Sequence, residues 1–125
     1  MYKFMRKRAR KVFKQLPVLK GEIGLMQRLY GKELVKRALN ISKETGLNYY
    51  DIIITLKEFP EVSEKAIKIA KERGLCPWDV AFTLKNFPEE ASEAIKKAEW
   101  ENQASWIAIN LKRQRDKNGR KNRRD

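Results

Sequence analysis

Residues 46–73 (GLNYYDIIITLKEFPEVSEKAIKIAKER) and 74–101 (GLCPWDVAFTLKNFPEEASEAIKKAEWE) form a tandem doublet that aligns without a gap and shares 13 of 28 positions. The identities include Gly46/Gly74, Asp51/Asp79, the run Thr55-Leu56-Lys57/Thr83-Leu84-Lys85 and the run Phe59-Pro60-Glu61/Phe87-Pro88-Glu89. Other pairs keep their chemistry, among them Tyr50/Trp78 and Ile52/Val80. A fixed period of this length marks a repeated supersecondary unit whose apolar face is buried by stacking on its neighbour. The same offset reaches back into a degenerate third copy: residues 38–44 precede Gly46 as residues 66–72 precede Gly74.

Each full copy reads as two helices. Asn48 can cap the first helix of copy one, with Asp51 as an acidic group in its first turn. In copy two, Pro77 takes the first helical position. Ile52, Ile53, Leu56 and Phe59, with Val80, Ala81, Leu84 and Phe87, supply the inward faces. The Phe-Pro-Glu run breaks this helix and is expected to start the next, with Pro60 or Pro88 at its first position. Gly74 ends the second helix of copy one, and Gly46 ends a preceding helix over 32–45. Copy two has no comparable stop, so one helix is expected from Glu89 to about Lys112, burying Trp100, Ala104, Ile107 and Leu111. Gly21 and Gly24 suggest a loop before a short helix holding Leu25, Met26, Leu29 and Tyr30. Residues 3–16 carry an apolar stripe (Met5, Ala9, Val12, Phe13, Leu16) and read as an amphipathic helix ended by Pro17. The expectation is an all-α, helical-repeat bundle of six or seven helices. It divides into a basic N-terminal arm over 1–20, a body over 21–111 and a basic tail over 112–125, which has no apolar residue to bury.

Charge is distributed along the same divisions. The formal net charge is +13 over 125 residues. Residues 1–20 hold eight Lys/Arg and no acid, and residues 112–125 hold eight against Asp116 and Asp125. The 21–111 body is nearly neutral. Basic ends on a neutral body point to a polyanionic partner. The candidate phosphate contacts are Lys3, Arg6, Lys7, Arg8, Arg10, Lys11 and Lys14 at one end. At the other they are Lys112, Arg113, Arg115, Lys117, Arg120, Lys121, Arg123 and Arg124. Each such contact releases a condensed counterion, so binding is expected to depend steeply on salt. Tyr2 and Phe4 beside the first cluster could stack on unpaired bases.

Catalytic chemistry has little to work with. The chain has no histidine and one cysteine, Cys76, so it has no internal disulfide, no His-based nucleophile pair and no set of His or Cys ligands for a metal. Cys76 occupies the place that Asn48 holds in the sister copy and reads as a partly buried thiol. Glu61, Glu64, Glu89, Glu90 and Glu93 sit at helix starts, where they complement the helix dipole. No phosphate-binding glycine motif is present. A non-catalytic protein without a cofactor is expected. The lone cysteine and the lack of an apolar spanning run favour a cytoplasmic setting without a membrane.

The wealth of Lys, Glu and Ile and the basic ends give a chain that resembles the small basic ribosomal proteins of thermophilic archaea. Separately, Gly46-Leu47, Asp51-Ile52, Leu56 and Phe59-Pro60, with their counterparts from Gly74 to Pro88, look like the helical repeat of the mitochondrial transcription termination factor family. That resemblance implies helix pairs stacked on a nucleic acid. The leading expectation is an rRNA-binding structural component of an archaeal-type ribosome, in contact with RNA and neighbouring ribosomal proteins. The alternatives are a DNA-binding protein of a mobile element or chromatin, and a helical module for a protein partner. Exposed Trp78, Phe82, Trp100 or Trp106 would favour the last.

Overall fold

The structure, a computed structural model, describes residues 20–124 and the side chains of 21–119. The helix expected over 3–16, with Lys3, Arg6, Lys7, Arg8, Arg10, Lys11 and Lys14, lies outside the described residues. Among the described residues the fold is all-α, with seven helices and no strand: α1 (Lys20–Tyr30), α2 (Lys32–Thr45), α3 (Tyr49–Glu58), α4 (Ser63–Arg73), α5 (Pro77–Asn86), α6 (Ala91–Lys97) and α7 (Gln103–Arg124).

Local chemistry sets most of these bounds. The Asn48 carboxamide accepts from the backbone N–H groups of Tyr50 and Asp51 and so caps α3. Pro77 opens α5, whose cap position is Cys76. Gly46 and Gly74 end α2 and α4 at φ 74° and 69°, a left-handed turn that disfavours any residue with a Cβ. The Thr55 hydroxyl donates to the Asp51 carbonyl, and the Thr83 hydroxyl to that of Asp79. These bonds let both threonines sit fully buried.

Three boundaries differ from the expectation. First, Pro60 and Pro88 do not begin a helix. Val62 N–H donates to Phe59 O and Glu90 N–H to Phe87 O, each at 3.2 Å, so Phe-Pro-Glu forms a turn with proline at its second corner. The helices start at Ser63 and Ala91. Second, α1 runs through Gly21 and Gly24. Its Ile23, Met26 and Tyr30 pack on the core, which outweighs a glycine cost of about 1 kcal/mol each. Third, the expected single helix from Glu89 onward is broken between Lys97 and Gln103. The break is tertiary in origin. The Glu101 carbonyl accepts from Cys76 N–H at 3.0 Å, which ties the chain to the start of α5.

The helices lie in two layers. α1, α3, α5 and α7 run parallel. At their starts the Tyr50 hydroxyl meets Glu22 and Ser105 N–H meets Asp79. Further along, Lys57 covers the Tyr30 ring and Lys85 the Phe59 ring. α2, α4 and α6 return behind them, α2 packing on α1 and α3, α4 on α3 and α5, and α6 on α5 and α7. Two apolar clusters fill the space between. Val35, Ala38, Ile52, Ile53 and Leu56 centre the first, while Ala66, Leu75, Val80, Ala81, Ile95 and Ala104 centre the second.

Ile52 is fully buried at the middle of the first cluster. Ile52→Ala is expected to cost about 2–5 kcal/mol, because the site loses the transferred methyl groups and keeps a cavity. A urea titration checks this: the midpoint should fall with the slope preserved. A loss below about 1 kcal/mol would mean that the helix pair is not packed as described.

Candidate nucleic-acid interface

α7 carries every described residue of the sequence-predicted basic tail, so the helix expected to end near Lys112 continues through 112–124, while the described side chains of 112–119 stay exposed as expected. The helix can form there because its first half has a face to bury. Ala104 and Ala108 are fully buried, with Ile107 and Leu111 half-buried beside them. Small side chains at 104 and 108 let α7 approach α5 and α6 closely. Trp100 and Trp106, by contrast, face solvent at 60% and 64% exposure. Because the chain breaks at 98–102, Trp100 is out of register with the buried stripe of α7.

Three contacts fix α7 on the body. At its start, Ser105 N–H donates to Asp79 Oδ2 at 3.3 Å, so a side chain from α5 serves as an N-terminal cap. In its middle, Lys112 Nζ lies 5.7 Å from the centre of the Phe87 ring. Farther on, Arg115 Nη1 lies 2.9 Å from Glu90 Oε1 and also meets Glu89. The Glu90 side chain is only 8% exposed, so this pair is partly withdrawn from water. Arg115 is therefore committed to the fold.

Arg113 and Lys117 point the other way. At 100° per residue, Trp106, Asn110, Arg113 and Lys117 fall within one arc opposite Ala104, Ala108 and Arg115. Asn110, Arg113, Gln114, Asp116 and Lys117 line a shallow open depression along this arc. The backbone of residues 120, 121, 123 and 124 continues α7, and the side chains of Arg120, Lys121, Arg123 and Arg124 lie outside the described residues. The outward arc thus pairs an exposed indole with cations, and Asp116 is the acid at its edge. Such a surface can hold phosphates and offer a stacking plane.

The groups inside the body suit no such role. Cys76 is buried, and burial pushes its thiol pKa up to about 12, so it holds its proton at neutral pH. Burial also raises the Asp51 carboxyl pKa, with Glu101 adding to the rise and a Cys76 hydrogen bond opposing it. Among the described residues no group of three or more His, Cys, Asp or Glu is placed to hold a metal ion. No helix there is long and apolar enough to cross a membrane. The chain matches no protein-family model, no curated protein and no solved structure.

Asp79 gives a pH signature. It is 1% exposed, and burial raises its pKa against the lowering effect of hydrogen bonds from Ser105 and Ala104. With a raised native pKa, the folded chain keeps a proton that the unfolded chain has released. Stability from this group therefore falls as pH rises from about 4, the unfolded Asp value, through the native value. Asp79→Asn removes that dependence. The melting temperature of the variant relative to the parent should become more positive from pH 4 to pH 7. A constant difference would show that folding leaves the Asp79 carboxyl unshifted, and one that turns more negative would show that ionised Asp79 is stabilised at the α7 start.

Proposed function

We propose that this chain is a non-catalytic RNA-binding protein of the cytoplasm that holds a structured RNA, ribosomal RNA being the intended class, through the outward face of α7 together with its basic N-terminal residues. One observation carries this reading. The acids of the body that meet α7 engage Arg115 alone among its described cations, which leaves Arg113 and Lys117 exposed on the opposite face. A rigid helix presenting cations in one arc is pre-ordered for phosphates, and binding then forfeits little conformational entropy. A body of two packed layers, with Cys76 buried and Asp79 engaged as a cap, supports a positioning role.

A second reading also has a specific observation behind it. Trp100 and Trp106 are exposed, as a module for a protein partner would require. Nuclease treatment during co-sedimentation with ribosomes separates the two, because only an RNA-held protein is released. Competition by duplex DNA at fixed salt distinguishes a DNA-binding role.

The direct test neutralises the outward cations and spares Arg115. The variant Arg113→Gln/Lys117→Gln, which also leaves Lys112 on the Phe87 ring, should melt close to the parent temperature. Its affinity for a folded rRNA fragment should fall, and the slope of log K against log salt should drop by about 1.5, from about 0.7–0.9 per lost phosphate contact. Unchanged affinity and slope would remove α7 as the interface.

A further inference from the structure

The parallel layer places three outward rows in register. α3 shows Tyr50, Ile54 and Lys57, α5 shows Trp78, Phe82 and Lys85, and α7 shows Trp106, Asn110 and Arg113, each row spaced i, i+4, i+7 and each 28 residues from the last. The third row extends the period of the doublet into α7, where the sequence has otherwise diverged. Equivalent contacts support the register. Asp51 bonds the Cys76 thiol at the start of α5, and Asp79 bonds Ser105 at the start of α7. α3 packs against α5, and α5 against α7, so the rows lie side by side.

We propose that these rows form a path for unpaired RNA across the body, with Tyr50, Trp78 and Trp106 as stacking planes and Lys57, Lys85 and Arg113 as phosphate contacts. Tyr50 and Trp106 are 39% and 64% exposed, and Trp78 on the central helix is partly exposed. Lys57 and Lys85 already cap rings, those of Tyr30 and Phe59, which holds each ammonium in place at the outer surface. Adjacent helix axes stand about 8–10 Å apart. Stacked bases in a duplex rise only about 3.4 Å, so such rungs suit a strand whose bases are splayed apart. Acidity along the path falls toward α7: the position after the cation is Glu58 on α3, Asn86 on α5 and Gln114 on α7. Grip is therefore strongest at the α5–α7 end.

This inference rests on the RNA reading, and its test is built to fail separately. The full chain is titrated into a fluorescein-labelled 15-nucleotide oligo(U) RNA and into a duplex RNA of equal length, reading anisotropy and tryptophan emission. The single strand should bind more tightly and quench the tryptophans. Trp106→Leu should weaken single-strand binding by about 5- to 150-fold, the range for one lost base stack. Lys57→Gln/Lys85→Gln should weaken it several-fold, with circular dichroism unchanged in both variants. Tighter binding of the duplex would overturn the path. So would parent-like oligo(U) affinity in both variants, and if the α7 cation variant still lost binding to folded RNA, the proposed function would stand without it. Tryptophan emission indifferent to RNA would also overturn it and leave Trp100 and Trp106 to a protein partner.

Discussion

The seam between α5 and α7 is the contact on which the rest of the molecule depends. α7 spans 22 residues, and its second half is almost wholly polar. A helix of that kind has little reason to order alone, because helical stability in proteins comes mainly from packing one apolar face. Here Ala104 and Ala108 bury completely, Asp79 closes the first turn and Arg115 reaches Glu89 and Glu90. Ties at residues 105, 112 and 115 fix the helix rotation as well as its position. That rotation decides which cations face outward.

The division of charge follows from the same geometry. A single basic cluster in sequence is split by the helix into two roles. Arg115 faces a carboxylate that is itself mostly buried, where an unpaired charge would be costly. Arg113 and Lys117 lie across the helix, where water and any polyanion can reach them. The body is thus more than a neutral carrier: its acids at 89 and 90 sort the cations of α7. Its parallel layer also brings Tyr50, Trp78 and Trp106 to equivalent places on neighbouring helices.

Much of the fold was legible where the signal is local. Glycine at 46 and 74, asparagine at 48 and proline at 77 act on their own turn of chain, and each marks the boundary its chemistry implies. The all-α class followed from helical periodicity. Apart from the Phe-Pro-Glu turn, which closes locally between residues 59 and 62 and between 87 and 90, the departures from expectation share a tertiary cause. The break at 98–102 contains neither glycine nor proline and is held by Cys76, a partner that only folding brings near, and locally by the Gln103 side chain, which accepts from Glu99 N–H. α1 passes through two glycines because Ile23, Met26 and Tyr30 find a core. The charge of the 112–125 segment was plain, but its helical form depends on acids some 25 residues earlier. The exposure of Trp106 could have been anticipated by extending the 28-residue period beyond 101, which aligns it with Trp78 and Tyr50.

The most direct measurement is a two-dimensional NMR titration of the ¹⁵N-labelled chain with an RNA that contains unpaired residues, following backbone amides and tryptophan indoles. Shifts should concentrate on the Trp106 indole, Arg113 and Lys117, then on Trp78 and Lys85, with Arg115 and the α2, α4 and α6 layer unmoved. Shifts centred on α2, α4 and α6, or no shifts at saturating RNA, would contradict an RNA interface on the outer face of the parallel layer.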